Sequence, residues 1–143
     1  MKQFLYLLTL ISLSFSSCSI SPKPIAYGSD GCHFCSMTIV DKQHAAEFVT
    51  KKGRSYKFDA SECMLNYLKG IDKESVALFL VNDYDAPGEF IDATKATYLI
   101  SNNIPSPMGA FLTAFETLEA AENVKSINKG ELFTWKLLQE RFK

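Results

Sequence analysis

Ala45-Ala46-Glu47-Phe48-Val49-Thr50-Lys51-Lys52-Gly53-Arg54-Ser55-Tyr56-Lys57-Phe58-Asp59-Ala60-Ser61-Glu62 decides the fold. Ala45 to Thr50 is apolar and partly β-branched, as a strand requires. Lys51-Lys52-Gly53-Arg54 is a hairpin turn. Ser55 to Phe58 returns as a second strand. Asp59 or Ser61 then starts a helix, since either side chain can cap orphan N–H groups. Met64, Leu65 and Leu68 follow at helical spacing, and Gly70 ends the helix. Val76 to Val81 is a continuous apolar run of strand length, which predicts a central strand.

The second half echoes the first. Ile91 and Thr94 to Ser101 read as strand, and Ala110 to Phe115 as another. Phe115-Glu116-Thr117-Leu118-Glu119 repeats Phe58-Asp59-Ala60-Ser61-Glu62 at an offset of 57 residues. Ala96-Thr97-Tyr98-Leu99-Ile100 parallels Ala45-Ala46-Glu47-Phe48-Val49 at an offset of 51, the difference being a longer loop at 102–109. One β-β-α-β unit cannot bury its own apolar face. Two such units therefore make one compact α+β domain, closed by an amphipathic helix over 134–142 with Trp135, Leu138 and Phe142 on one side. Thr38 to Val40 reads as a further short strand.

Upstream lies an address. Met1-Lys2-Gln3 opens on a cation, and residues 4–15 are mostly apolar. A membrane-spanning helix needs roughly 20 apolar residues, so residues 1–17 read as a secretory signal. Phe15-Ser16-Ser17-Cys18 resembles a bacterial lipobox, with Cys18 lipidated as the first mature residue. Residues 18–30 hold Ser, Pro and Gly and read as a flexible tether, leaving 31–143 as the folded domain. Lys2 is the only charged residue of the leader, so the remainder carries 14 basic and 16 acidic residues, a net charge of about −2. No basic patch or like-charge run is present, which argues against nucleic acid as a partner. No Ser-His-Asp set, paired carboxylates or phosphate loop points to an enzyme.

The chemistry-bearing residues are sulfurs. Cys32-His33-Phe34-Cys35-Ser36-Met37 holds three of them within six residues. Thiolate and thioether are soft donors and suit Cu(I). If the chain is extended at Cys35, Met37 projects to the same side, because strand side chains alternate. Met108 sits in a Pro-stiffened loop, Pro105-Ser106-Pro107-Met108-Gly109, and is a less natural core residue than Met64, which falls at helical spacing. Cys63 reads first as a buried small residue. His33 and His44 read as surface residues able to add a weak contact. Three alternatives share these side chains: a thiol–disulfide oxidoreductase using Cys32 and Cys35, a zinc site completed by Cys63, His33 or His44, and a structural Cys32–Cys35 disulfide. A c-type haem site is excluded, because Ser36 stands where it needs histidine.

Taken in order, these segments resemble a known family. Cys32-His33-Phe34-Cys35-Ser36-Met37-Thr38-Ile39-Val40-Asp41 resembles the Cys-x-x-Cys-x-Met-x-Ile/Val-x-Asp segment of the NosL family, the lipoprotein copper chaperones for nitrous oxide reductase. Gly53-Arg54-Ser55-Tyr56-Lys57-Phe58-Asp59 is similar to its second hairpin strand. Phe90-Ile91-Asp92-Ala93-Thr94-Lys95-Ala96-Thr97-Tyr98 is similar to its Trp-Ile-Asp-Ala-x-x-Ala-x-Tyr segment, with Phe90 for Trp. Pro107-Met108-Gly109 is similar to its Pro-Met-Gly loop. The resemblance implies a tandem β-β-α-β fold and carriage of one Cu(I) for transfer. It places the metal role on Cys35, Met37 and Met108, with Cys32 accessory. It implies a periplasm-facing, lipid-anchored protein serving nitrous oxide reductase or its copper-assembly transporter. Ser36 departs from the pattern, where glycine is usual.

Overall fold

The computed structural model describes residues 19–143. The leader and the lipidation residue Cys18 lie outside the described residues. The architecture is α+β, and its element order is the expected duplication.

The first unit runs β1 (Ala46–Thr50), β2 (Ser55–Phe58), α1 (Ser61–Tyr67) and β3 (Val76–Asn82). A further strand, β4 (Phe90–Asp92), joins its sheet, giving the antiparallel order β2-β1-β3-β4. The second unit runs β5 (Thr97–Ile100), β6 (Leu112–Phe115), α2 (Leu118–Asn128) and β7 (Glu131–Phe133). Its sheet order, β6-β5-β7, repeats β2-β1-β3 strand for strand. A final helix, α3 (Trp135–Arg141), starts on Thr134, whose side chain accepts from the Leu137 N–H.

The central strand β1 is buried from Ala46 to Val49, with Phe48 opposite Tyr56 on β2 and Phe79 on β3. Phe48 stacks on Tyr56 at 4.7 Å between ring centroids and lies 5.6 Å from Phe58 and 5.8 Å from Tyr67. Met64, Leu65 and Leu68 are buried under this aromatic layer, as their helical spacing requires. The units share one core, in which Phe48, Cys63 and Met64 join Tyr98, Leu112 and Leu138. The other face of the second sheet is covered by α2 through Leu99, Phe115 and Ala121. Trp135 packs on Phe79 of the first sheet and Tyr98 of the second, so α3 straddles both. His44, expected at the surface, is buried between the units: Nδ1 bonds Asp41 at 3.0 Å and Nε2 faces the Thr113 hydroxyl at 3.5 Å.

Three local expectations are corrected. Thr38 to Val40 forms no strand but a single bridge, Gly31 to Thr38. Neither Asp59 nor Ser61 caps α1, whose N-cap residue is Ala60; the Ser61 hydroxyl donates to the His44 carbonyl instead, and Asp59 is taken up below. The stretch read as tether is bound to the domain from Lys23 onward. The Lys23 N–H donates to the buried Glu47 carboxylate, Ile25 joins the core, and Lys57 Nζ holds the Pro24 carbonyl at 2.7 Å and Asp30 at 2.6 Å. Ordinary tether composition does not reveal that two apolar residues, Ile25 and Tyr27, have partners far along the chain.

Phe48→Ala should remove the centre of the aromatic layer and cost about 3–5 kcal/mol. Urea unfolding of the reduced protein followed by circular dichroism would measure it.

Candidate metal centre

The Cys32–Met37 loop closes on itself. The Cys32 N–H donates to the Met37 carbonyl at 2.8 Å and the Ser36 N–H to the Cys32 carbonyl at 3.0 Å. Ser36 sits at φ 64, a left-handed conformation that costs a non-glycine residue on the order of 1 kcal/mol or more. Glycine would adopt this conformation without that cost. The Ser36 conformation also corrects the alternation argument for Met37, since the chain between Cys35 and Met37 turns and does not run extended.

The loop is then pinned to β2. The His33 N–H donates to the Lys57 carbonyl at 2.9 Å, and the Lys57 N–H donates to His33 Nδ1 at 3.0 Å. His33 thus acts as backbone cement, with its ring edge-on to Tyr56. Pinning at Lys57 brings the loop over the junction of β2 with α1, where Asp59 leaves the strand and Cys63 lies in the first turns of the helix. The Cys35 thiol donates to Asp59 Oδ1 at 3.4 Å. One ligand atom from each of Cys32, Cys35, Asp59 and Cys63 falls within 4.8 Å of all the others.

Three thiols in contact divide their protons unequally. The Cys63 thiol bonds Cys32 Sγ, and the N–H groups of Cys35, Asp59 and Phe34 also point at that sulfur, lowering Cys32 to about 6. Cys63 is pushed far up, first by that same bond and then by burial. Burial raises Cys35 to about 11, partly offset by the Met37 N–H. Of the three thiols, Cys32 is therefore the one most disposed to ionise.

The thioethers lie differently. Met37 is 55% and Met108 41% exposed. Met37 follows the cluster through its N–H bond to Cys35 Sγ. The Met108 loop is tied to α1 through Glu62, whose Oε1 accepts from the Ser106 hydroxyl and, at 3.4 Å, from the Ala110 N–H. Glu62 adjoins Cys63 in sequence. Its Oε2 is buried without a partner among the described residues. Cys63 joins the cluster, as the zinc alternative allows, whereas the sequence marks Asp59 only as a helix cap. No spacing signalled Asp59, because it precedes the extended N-cap residue Ala60 and helical periodicity does not reach it.

The family model NosL matches residues 25–142. The chain belongs to the NosL family. It is 29% identical over 134 residues to the copper-binding lipoprotein NosL of Stutzerimonas stutzeri, covering 84% of this chain and 70% of that protein. Its fold matches the crystal structure of the copper chaperone NosL from Shewanella denitrificans with a TM-score of 0.72 at 20% identity, over 82% of this chain and 95% of that one.

Two predictions follow from the loop and its thiols. The far-ultraviolet thiolate absorbance of the reduced, metal-free protein should titrate near pH 6, and Cys32→Ser should abolish that step. Because folding depresses the Cys32 value, its contribution to stability is full above the unfolded value near 9 and is lost as pH falls through about 6. Ser36→Gly should relieve the left-handed strain and raise stability by about 0.5–1 kcal/mol, read as a higher urea midpoint.

Proposed function

We propose that this protein is a copper chaperone and not an enzyme, carrying one Cu(I) on Cys35, Met37 and Met108, with Cys32 as accessory. In this reading it is exported, held to the membrane by a lipid on Cys18, and faces the periplasm. Its recipient is nitrous oxide reductase or the transporter that assembles the copper of that enzyme. The relatives named above support the copper assignment, since one is called copper-binding and the other a copper chaperone.

The observation that carries the reading is the pairing of a thiol loop with exposed thioethers. A carrier must bind a soft ion and also release it. Thiolates supply affinity, and exposed thioethers supply neutral, weakly held ligands that a recipient can replace one at a time. The turn at Ser36 leaves the Met37 side chain in solvent while its backbone braces Cys35. Among the described residues no helix is long and apolar enough to cross a membrane, so the lipid is the anchor in this scheme.

A thiol–disulfide oxidoreductase is the weaker reading. Its attacking thiol needs access as well as a lowered pKa. Cys32 has the lowered value but is only 4% exposed.

Anaerobic Cu(I) titration of the reduced full-length protein against a chromophoric competitor should give one ion per chain. Cys35→Ser, Met37→Leu and Met108→Leu should each weaken binding by roughly tenfold or more, about 1.4 kcal/mol. No uptake, or uptake indifferent to both methionine changes, sinks the proposal.

A further inference from the structure

We propose that Glu62 is a positioning residue, whose carboxylate sets the place of the Met108 sulfur and through it the hold on the ion. The consequence for copper rests on the copper reading above; the placement of Met108 does not.

The Met108 turn has internal order. Ser106-Pro107-Met108-Gly109 is closed by the Gly109 N–H, which donates to the Ser106 carbonyl at 3.0 Å. Pro107 has a restricted φ, and Gly109 takes φ 76, which glycine adopts at little cost. These features shape the turn but do not fix where it points. Pro105, Pro107, Met108 and Gly109 are all exposed, so an outside contact has to do so.

Glu62 supplies that contact. Its Oε1 accepts from the Ser106 hydroxyl at 2.5 Å and from the Ala110 N–H at 3.4 Å. Ser106 opens the turn and Ala110 follows it, so one oxygen holds both ends of its base. The earlier half of the loop belongs to the second unit. Ser101 and Asn103 bond the Asn128 carbonyl there, and Ile104 joins Leu99 and Phe115 in the core. The Met108 half is tied instead to the first turn of α1. That turn lies just past Asp59, which the Cys35 thiol bonds. The stretch 59–62 thus carries the anchor of Cys35 at one end and the anchor of Met108 at the other.

The burial of Glu62 marks this as more than an ordinary surface tie. An acid in the first turn of a helix commonly lies in solvent, where it favours the helix dipole. Glu62 is only 2% exposed, and its Oε2 has no partner among the described residues. Such burial costs stability. Its hydrogen bonds do nothing for α1, which has no side-chain cap; both go to the Met108 turn. A thioether is a neutral, weakly held ligand, so its contribution depends on standing in place before the ion arrives.

The test is a double-mutant cycle by anaerobic Cu(I) titration of the reduced full-length protein. Glu62→Ala should weaken binding by roughly tenfold, as Met108→Leu does. Added to Met108→Leu it should cost less than about a further twofold, and added to Met37→Leu its full factor. Glu62→Gln keeps an oxygen that accepts both bonds, and should bring binding back to within about threefold of the unaltered protein. In the metal-free protein, Glu62→Ala should shift the Met108 methyl resonance in carbon–proton NMR and leave that of Met37 in place. Near-ultraviolet circular dichroism checks that each variant is folded. Should Glu62→Ala fail to fold, Ser106→Ala removes one bond from the loop side and should give the same pattern at about threefold or more. A loss that adds in full to Met108→Leu, a Gln variant no better than Ala, or an unmoved Met108 methyl overturns the proposal. A shifted methyl without Cu(I) uptake by the unaltered protein would sink the copper reading alone, and Cu(I) uptake with fully additive losses this one alone.

Discussion

The paired hydrogen bonds between His33 and the Lys57 backbone are the constraint on which the site depends. They hold a loop with little regular structure of its own against the end of β2, and so fix where two cysteines meet a strand-to-helix junction. Without that seam Cys32 and Cys35 would be two thiols on a surface turn. With it, they face Asp59 and Cys63. The Lys57 side chain works on the same stretch from outside, holding Pro24 and Asp30, so one residue of β2 secures both the entry to the domain and the loop that follows.

The duplication explains why the site occurs once. Both units send a strand into a helix through a short extended junction, Phe58-Asp59-Ala60 in the first and Phe115-Glu116-Thr117 in the second. In the second, Thr117 caps α2 with its own side chain. In the first, Ala60 gives the N-cap no side-chain bond, and Asp59 is free to meet Cys35. The first junction lacks the side-chain cap of the second, and its carboxylate meets a thiol instead. The second unit contributes elsewhere, since its long 102–109 loop reaches back to Glu62 at the start of α1.

Much of this was legible in the chain, for physical reasons. The periodicities that marked β1, β2, α1 and β3 are those of elements with one buried face, and the internal echo exposed the second unit. The sulfur-rich loop was visible because three soft donors in six residues need an explanation. What failed were inferences about polar residues at ends. Asp59 and Ser61 look like helix caps, and a cap is a local use. The tertiary fold assigns them distant partners, Cys35 and the His44 carbonyl, instead. Cys63 has the same character. Beside Met64 and Leu65 it reads as core, and it is buried like core, yet its sulfur meets Cys32. Burial and function are separable only once the loop is placed. Met37 was placed on the side of Cys35 by assuming an extended chain, and Ser36 at positive φ breaks that assumption.

The division between buried thiols and exposed thioethers has a chemical logic of its own. A buried thiol exchanges its ion slowly, because an incoming ligand must reach it through protein, and it discriminates poorly among thiophilic metals. An exposed thioether holds weakly, exchanges quickly and favours the softest ion. A carrier built only from Cys32, Cys35 and Cys63 would bind firmly and release reluctantly. One built only from Met37 and Met108 would hold little. Placing Cys35 between the two sets, with its sulfur bonded to Asp59 on one side and braced by the Met37 backbone on the other, lets a single residue belong to both. In the proposed carrier Cys35 thus links the buried thiols to the exposed thioethers, and the fold of one short loop sets that link.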